Sequence, residues 1–379
     1  MTTPASPRLA AEALAFSAAM GDLRLTPEQA LTLLRDGDLL TLGVAASIMR
    51  RRLVPGNDVT FIVDRNVNYT NVCVSGCRFC AFYCDADAEN AYVLTRAQLA
   101  EKVAETIALD GTAILLQGGM HPDLRIEWYE TMLRDIKADH PGIHVHGFGP
   151  PEIVHIARIS GVSTREVLTR LRASGLDSLP GGGAEILVDR VRSHVSPKKA
   201  TSDEWLGVMS EAHALDISST ATMMFGSIET LAERIEHMDR VRRVQDHSIA
   251  AGHVGFRAFI PWSYQPGNTL LAEDELAASG TVLSAVSGWE YLRTLAVSRL
   301  YLDNVRNIQA SWVTQGAKVG QLALAFGAND MGSTMIEENV VAAAGTHFML
   351  AREELVRLIR DAGYAPMQRD TLYRKVRRF

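Results

Sequence analysis

The chain has 379 residues, is 47% hydrophobic and carries a net charge of −6, so it can bury a full core and does not present the overall basic balance of a nucleic-acid-binding surface. All four cysteines fall between residues 73 and 84; that is no disulfide framework, and it points to a reducing compartment, the cytoplasm. No segment runs about 18 residues without charge, and the alanine-rich residues 10–20 lack a basic flank, so neither a membrane span nor secretion is expected.

The first 55 residues read as a helical extension, 1–55, with helices at 7–20, at 27–35 behind the cap Thr26 and the first-turn Pro27, and at 38–52. From Val59 short apolar runs alternate with amphipathic segments, the rhythm of repeated βα units. Strands are expected at 60–64, 112–116, 143–147, 178–179, 219–223, 255–260, 307–310 and 322–326. Helices fall between them, notably at 96–109, 127–139, 164–173, 203–215, 228–245 and 284–305. Eight such units predict an α/β fold, a TIM-type (β/α)8 or nearly closed barrel over residues 56–340, with residues 341–379 as a helical segment packed on it. The basic end, Arg374, Lys375, Arg377 and Arg378, reads as a solvated terminus.

In such a barrel reactive groups gather where strands end, and the unusual residues do follow the expected strands. Cys73, Cys77 and Cys80 form a CxxxCxxC loop after the first. That spacing lets three thiolates hold three corners of a 4Fe–4S cluster and leave the fourth iron open. Zinc sites more often use two separated cysteine pairs or a cysteine pair with a nearby histidine pair, and the chain has no second CxxC. Cys84 is read as a non-ligand, since a fourth thiolate would close the cluster. The pattern resembles the radical S-adenosylmethionine (SAM) superfamily, in which SAM chelates the open iron. On that resemblance Phe79 lies beside the adenine, and Gln117, Gly118 and Gly119, after the second strand, expose backbone to the methionyl group. Glu185, after Gly181, Gly182 and Gly183, either takes SAM hydroxyls or its methionyl group, or is a helix first-turn glutamate. His121 and His146 are placed at strand ends facing the cavity as proton acceptors. Trp262, Tyr264 and Gln265 form a rigid loop between Pro261 and Pro266, suited to a flat ring or to packing. Arg257 is expected to face the interior, holding a carboxylate or a structural partner. Met223, Met224 and Phe225 read as core.

The runs 65–73, 80–83, 117–123, 180–187 and 261–266 together resemble the dehypoxanthine futalosine cyclase family, of the futalosine route to menaquinone. The likeness spans about Val59 to Glu338; Cys84 departs from it, standing where a polar residue is usual. What it implies is a consumed SAM, a nucleoside-like substrate and an electron donor such as flavodoxin or ferredoxin, with neither nucleic acid nor membrane as partner. A 5′-deoxyadenosyl radical takes the ribose C4′ hydrogen, the sugar radical adds to the benzoate ring, and loss of an electron and a proton restores the arene. His121, His146 and Tyr83 are the candidates for the base. The alternatives are an aminofutalosine synthase-like or deazaflavin synthase-like reaction, and a non-catalytic iron–sulfur electron carrier.

Overall fold

The computed structural model describes residues 6–280, 282–345 and 350–379. It opens with α1 (Pro7–Met20), α2 (Pro27–Asp36) and α3 (Leu39–Leu53). Each starts where a side chain takes an otherwise unpaired N–H: Ser6 accepts from Leu9, Thr26 from Gln29, and Asp38 from Thr41. Gln29 returns a bond to the Thr26 amide, completing a capping box. Ala11, Ala15, Ala18 and Ala19 make one small-residue face on α1, which brings it close against α3.

The barrel begins as one extended run broken at Val63, giving β1 (Asp58–Ile62) and β2 (Asp64–Asn68). The remaining strands are β3 (Ala113–Gln117), β4 (His144–Gly147), β5 (Ser178–Leu179), β6 (Ser218–Phe225), β7 (Phe256–Ser263), β8 (Asn307–Ile308), β9 (Asp330–Ser333), β10 (Ala365–Arg369) and β11 (Lys375–Arg378). Strands β2 to β8 form one parallel sheet in sequence order. The wall curves on through β9, which meets the end of β8 at the Gln309–Asp330 bridge and runs parallel to β1. Further round, Thr334 donates its N–H to Ile62 O at 3.0 Å. The fold is therefore a nearly closed parallel barrel wrapped by helices, with α1 to α3 as its extension.

Two segments differ from the sequence reading. Residues 322–326 are not a strand: they finish the helix Trp312–Ala323 and its 3-10 turn Leu324–Phe326, which ends at Gly327 in the left-handed region (φ +101°). A five-residue apolar run does not distinguish a buried strand from a buried helix end, and the eighth strand is Asp330–Ser333. Nor is the C-terminal segment wholly helical. After the helix Arg352–Asp361, β10 adds in parallel to β1 and β11 folds back on it as an antiparallel partner. This hairpin sends Arg369, Thr371 and Tyr373 into the floor of the barrel.

Two imidazoles are sealed between the barrel wall and its helices. His213 is held by Ser248 and Ser219 at 2.8 and 2.7 Å, and His237 Nδ1 accepts the Leu187 N–H at 3.0 Å. Burial pushes His213 down to about 4 and His237 down to about 3. Both stay neutral in the fold while the unfolded chain protonates near 6.5, so the stability they contribute is present above that value and is lost as pH falls through the window from 6.5 to their folded values. Urea unfolding is expected to show a loss of about 1 kcal/mol per imidazole between pH 7 and 5.5. A midpoint unchanged over that interval would mean that neither ring is held neutral.

Candidate active site

Alternate residues of the strands point into the barrel. Asn66 and Asn68 on β2, Gln117 on β3, His146 on β4, and Thr220 and Thr222 on β6 line one cavity of about 410 Å³. Its upper wall is the loop leaving β2, where Cys73, Cys77 and Cys80 all face the same space. That loop is pinned from three sides: Cys73 N–H donates to Cys84 O at 3.1 Å, Val74 N–H to Met120 O at 3.0 Å, and Arg78 N–H to Val195 O at 2.9 Å. Within it Gly76 takes φ +55°, and Cys80 N–H donates to Cys77 O at 3.0 Å. Cys84 belongs to the returning segment, where its amide donates to Asn71 O at 3.0 Å and its side chain stays outside the cavity lining.

The donor set fits a cluster. Three thiols share one wall of the cavity, while among the described residues no three His, Cys, Asp or Glu side chains converge on a single ion position as a zinc knuckle requires. Burial pushes all three thiols up, so ligation has to displace their protons. The Lys199 ammonium sits 5.0 Å over the Phe79 ring and donates to Glu185 Oε1 at 2.9 Å, while Arg192 Nη1 lies 3.3 Å from Oε2. Burial opposes the Lys199 charge, but Cys77 and Glu185 beside it hold it above the usual lysine value. Glu185 therefore meets the cavity already paired. It stands at φ +40° in the turn before the helix Asp189–Val195, not in that helix's first turn.

Gly118 and Gly119 answer to a constraint inside the protein. A Cβ on Gly118 would lie 2.5 Å from the Tyr69 ring, and one on Gly119 would lie 2.1 Å from Val72 O, so only glycine lets the cysteine loop settle on the end of β3. Glu152 fixes the same place: it accepts from Tyr69 Oη at 2.7 Å, Gly118 N–H at 3.1 Å and Gly149 N–H at 2.7 Å. Burial pushes its carboxyl up to about 7 against those bonds. Nothing in the sequence ties Glu152 to Gly118, because Gly149, Pro150, Pro151 and Glu152 read only as a helix start. Lys199 follows Lys198 and looks like a solvated pair.

Phe79, Gln117, Gly118, Gly119, Glu185, Trp262, His146 and Tyr83 come to the cavity, together with the three cysteines. Four expected residues do not. His121 lies outside it, its Nδ1 accepting the Asp123 N–H at 3.1 Å and its carbonyl accepting from His155. Arg257 is exposed: it falls at a bulge in β7, where Phe256 stands opposite Ser219 and Phe259 opposite Ala221, and the cavity face of this strand is taken by Ile260 and Trp262. Tyr264 is buried in the core with its hydroxyl on Thr269, and Gln265 turns its amide onto the Ser263 and Tyr264 carbonyls. Burial raises the Tyr83 phenol, which leaves it a proton donor. It pushes His146 down to about 3, with the His144 and Arg369 charges adding to it, which leaves a neutral imidazole.

The family model described as "Radical SAM superfamily" matches residues 67–241, and "CofH/MqnC C-terminal region" matches 253–378. A cyclic dehypoxanthine futalosine synthase of Streptomyces coelicolor is 46% identical over 92% of this chain and 85% of its own length. A 5-amino-6-(D-ribitylamino)uracil–L-tyrosine 4-hydroxyphenyl transferase of Methanococcoides burtonii is 39% identical over 93% of this chain and 96% of its own. Among solved structures, methylornithine synthase superposes with a TM-score of 0.67 over 93% of this chain and 97% of that one at 19% identity, a likeness of fold.

Proposed function

The chain belongs to the radical SAM superfamily, in the family of the cyclic dehypoxanthine futalosine synthases, and on that premise we propose that it closes the ring of dehypoxanthine futalosine by forming a carbon–carbon bond inside the barrel. The observation that carries the reading is the wall of Cys73, Cys77 and Cys80, which faces a cavity walled elsewhere by asparagine, threonine and a neutral histidine. When bound through those thiols, a 4Fe–4S cluster supplies the electron that splits SAM into methionine and a 5′-deoxyadenosyl radical. Glu152 and the packed glycines fix the backbone beside that wall, and Lys199 with Glu185 offers a paired cation and carboxylate to the polar ends of SAM. Asn66, Asn68, Thr220 and Thr222 provide hydrogen bonds for the sugar, and Trp262 a flat apolar face for the arene. The barrel holds C4′ against the ring carbon and keeps solvent hydrogen donors away from the sugar radical. His146 takes the proton that the adduct sheds, and the electron leaves to a one-electron carrier of the flavodoxin or ferredoxin class. Among the described residues no helix is long and apolar enough to cross a membrane.

The 39% identity to the transferase favours a second reading, in which the barrel joins two separate molecules. Substrate deuterated at C4′, incubated anaerobically with reconstituted protein, SAM and a reductant, separates the two. The expected result is deuterium in the methyl group of 5′-deoxyadenosine, with one such molecule per cyclised product. Deuterium-free 5′-deoxyadenosine, with product formed only from tyrosine and the ribitylaminouracil, would move the assignment to the transferase.

A further inference from the structure

β4 and β5 put two histidines on one serine. His144 Nε2 and His146 Nδ1 each lie 2.7 Å from Ser178 Oγ. Spaced two apart on β4, the histidines share the inward face while Val145 between them is buried toward the helices. His146 pairs in register with Ser178 across the sheet, and the serine is 1% exposed, its hydroxyl meeting no third partner among the described residues. A hydroxyl has one proton, so Ser178 donates to one ring and accepts from the other. His146 lines the cavity and His144 does not. His144 is half-buried below it, facing Asp177 and Lys137 from the wall and Asp370 and Arg374 from the C-terminal hairpin, of which Arg374 is largely exposed.

We propose that His146, Ser178 and His144 form a relay that carries the proton shed in the ring closure out of the cavity to the lower rim of the barrel. The inference rests on the cyclase reading, because only a reaction that releases a proton beside His146 needs the exit. In the arrangement that serves it, Ser178 donates to His144 Nε2, His146 Nδ1–H donates to Ser178, and the His146 Nε2 lone pair faces the substrate. The C–H bond of the spiro adduct breaks, its electron pair stays on the ring, and the proton goes to His146 Nε2. The Nδ1 proton passes to Ser178 Oγ, the serine proton to His144 Nε2, and the His144 Nδ1 proton to solvent. The ring is left as a radical anion, which becomes the arene by giving one electron to a low-potential iron–sulfur or flavin carrier. A base alone would be a poor arrangement here. Burial disfavours a charged His146, and Arg369 lies on the same side, so an imidazolium with no onward partner would hand its proton back.

The test uses the reconstituted holoenzyme with C4′-deuterated dehypoxanthine futalosine, following deuterated 5′-deoxyadenosine and cyclised product together. Ser178→Ala is expected to keep hydrogen abstraction within about twofold while the yield of cyclised product per 5′-deoxyadenosine falls at least about tenfold, the lower range of general-base effects. Ser178→Thr, which restores a hydroxyl, should recover most of that ratio. His144→Gln should uncouple in the same way although it never meets the cavity, and should remove the dependence of the ratio on deuterated water. These variants must retain native cluster absorbance, which distinguishes uncoupling from misfolding. If Ser178→Ala and His144→Gln both keep the native ratio, the relay is wrong. If the native enzyme puts no deuterium into 5′-deoxyadenosine, the cyclase reading fails and the relay with it.

Discussion

Alanine at Cys73, Cys77 or Cys80 is expected to abolish the charge-transfer absorbance of the reconstituted cluster and to lower SAM cleavage by at least about a thousandfold, whereas Cys84→Ala keeps both within about twofold. Each of the three thiols lines the cavity, and among the described residues of that lining there is no fourth cysteine to replace a lost ligand, and no aspartate except Asp64 below them on β2. The thiol of Cys84 offers no such substitute. Its backbone is tied into the returning segment by the Asn71 and Cys73 hydrogen bonds, and its side chain points away from the wall. Substitution there removes a thiol without moving the loop, since both bonds are made by backbone atoms. Iron content and the visible spectrum of the anaerobically reconstituted variants decide the matter. Equal loss in Cys84→Ala would show that the loop rearranges around the cluster and uses a different set of three.

The cysteine loop was legible because its chemistry is local: three thiols within eight positions fix their own geometry, and glycines after a strand fix a turn. Residues whose meaning depends on distant pairing were not. Glu152 becomes part of the site only when the helix it opens lies beside Gly118. Arg257 was misplaced because it falls at a bulge, where β7 carries one more residue than β6, and the consecutive apolar residues 258–260 give no alternation from which to place it. His121 lies in the loop beyond the end of β3, where its ring accepts the Asp123 N–H and stays outside the cavity lining. The C-terminal strand was hidden for a related reason. Ala365 to Arg369 contains a proline and two polar side chains, and it reads as a strand only once β1 offers it an edge. That edge is also where the floor of the cavity is made.

Asp330→Asn is accordingly expected to cost about 3–5 kcal/mol, the range for stranding one partner of a buried ion pair. Asp330 is fully buried, and its carboxylate receives Arg369 Nε at 2.5 Å and Nη2 at 2.9 Å, with Gly332 N–H at 2.8 Å and the Thr60 hydroxyl at 2.5 Å. Its backbone carbonyl accepts from Ala310 N–H at 2.9 Å, so one residue joins the wall after β8 to β9, β1 and β10. An asparagine keeps the shape but offers one acceptor where the guanidinium requires two, and it leaves a buried cation with only the more weakly coupled Asp64 opposite it. Arg369→Met should cost a similar amount by stranding the carboxylate instead. The pair removed together, Asp330→Asn with Arg369→Met, should be less costly than the sum of the two by at least about 2 kcal/mol, because neither charge is then left alone. Since Arg369 also lines the cavity floor, the single variants should form 5′-deoxyadenosine without matching amounts of cyclised product as water enters from below. Anaerobic urea unfolding of the four proteins measures the coupling, and strict additivity would mean that the hairpin is held by its backbone pairing with β1 and not by this ion pair.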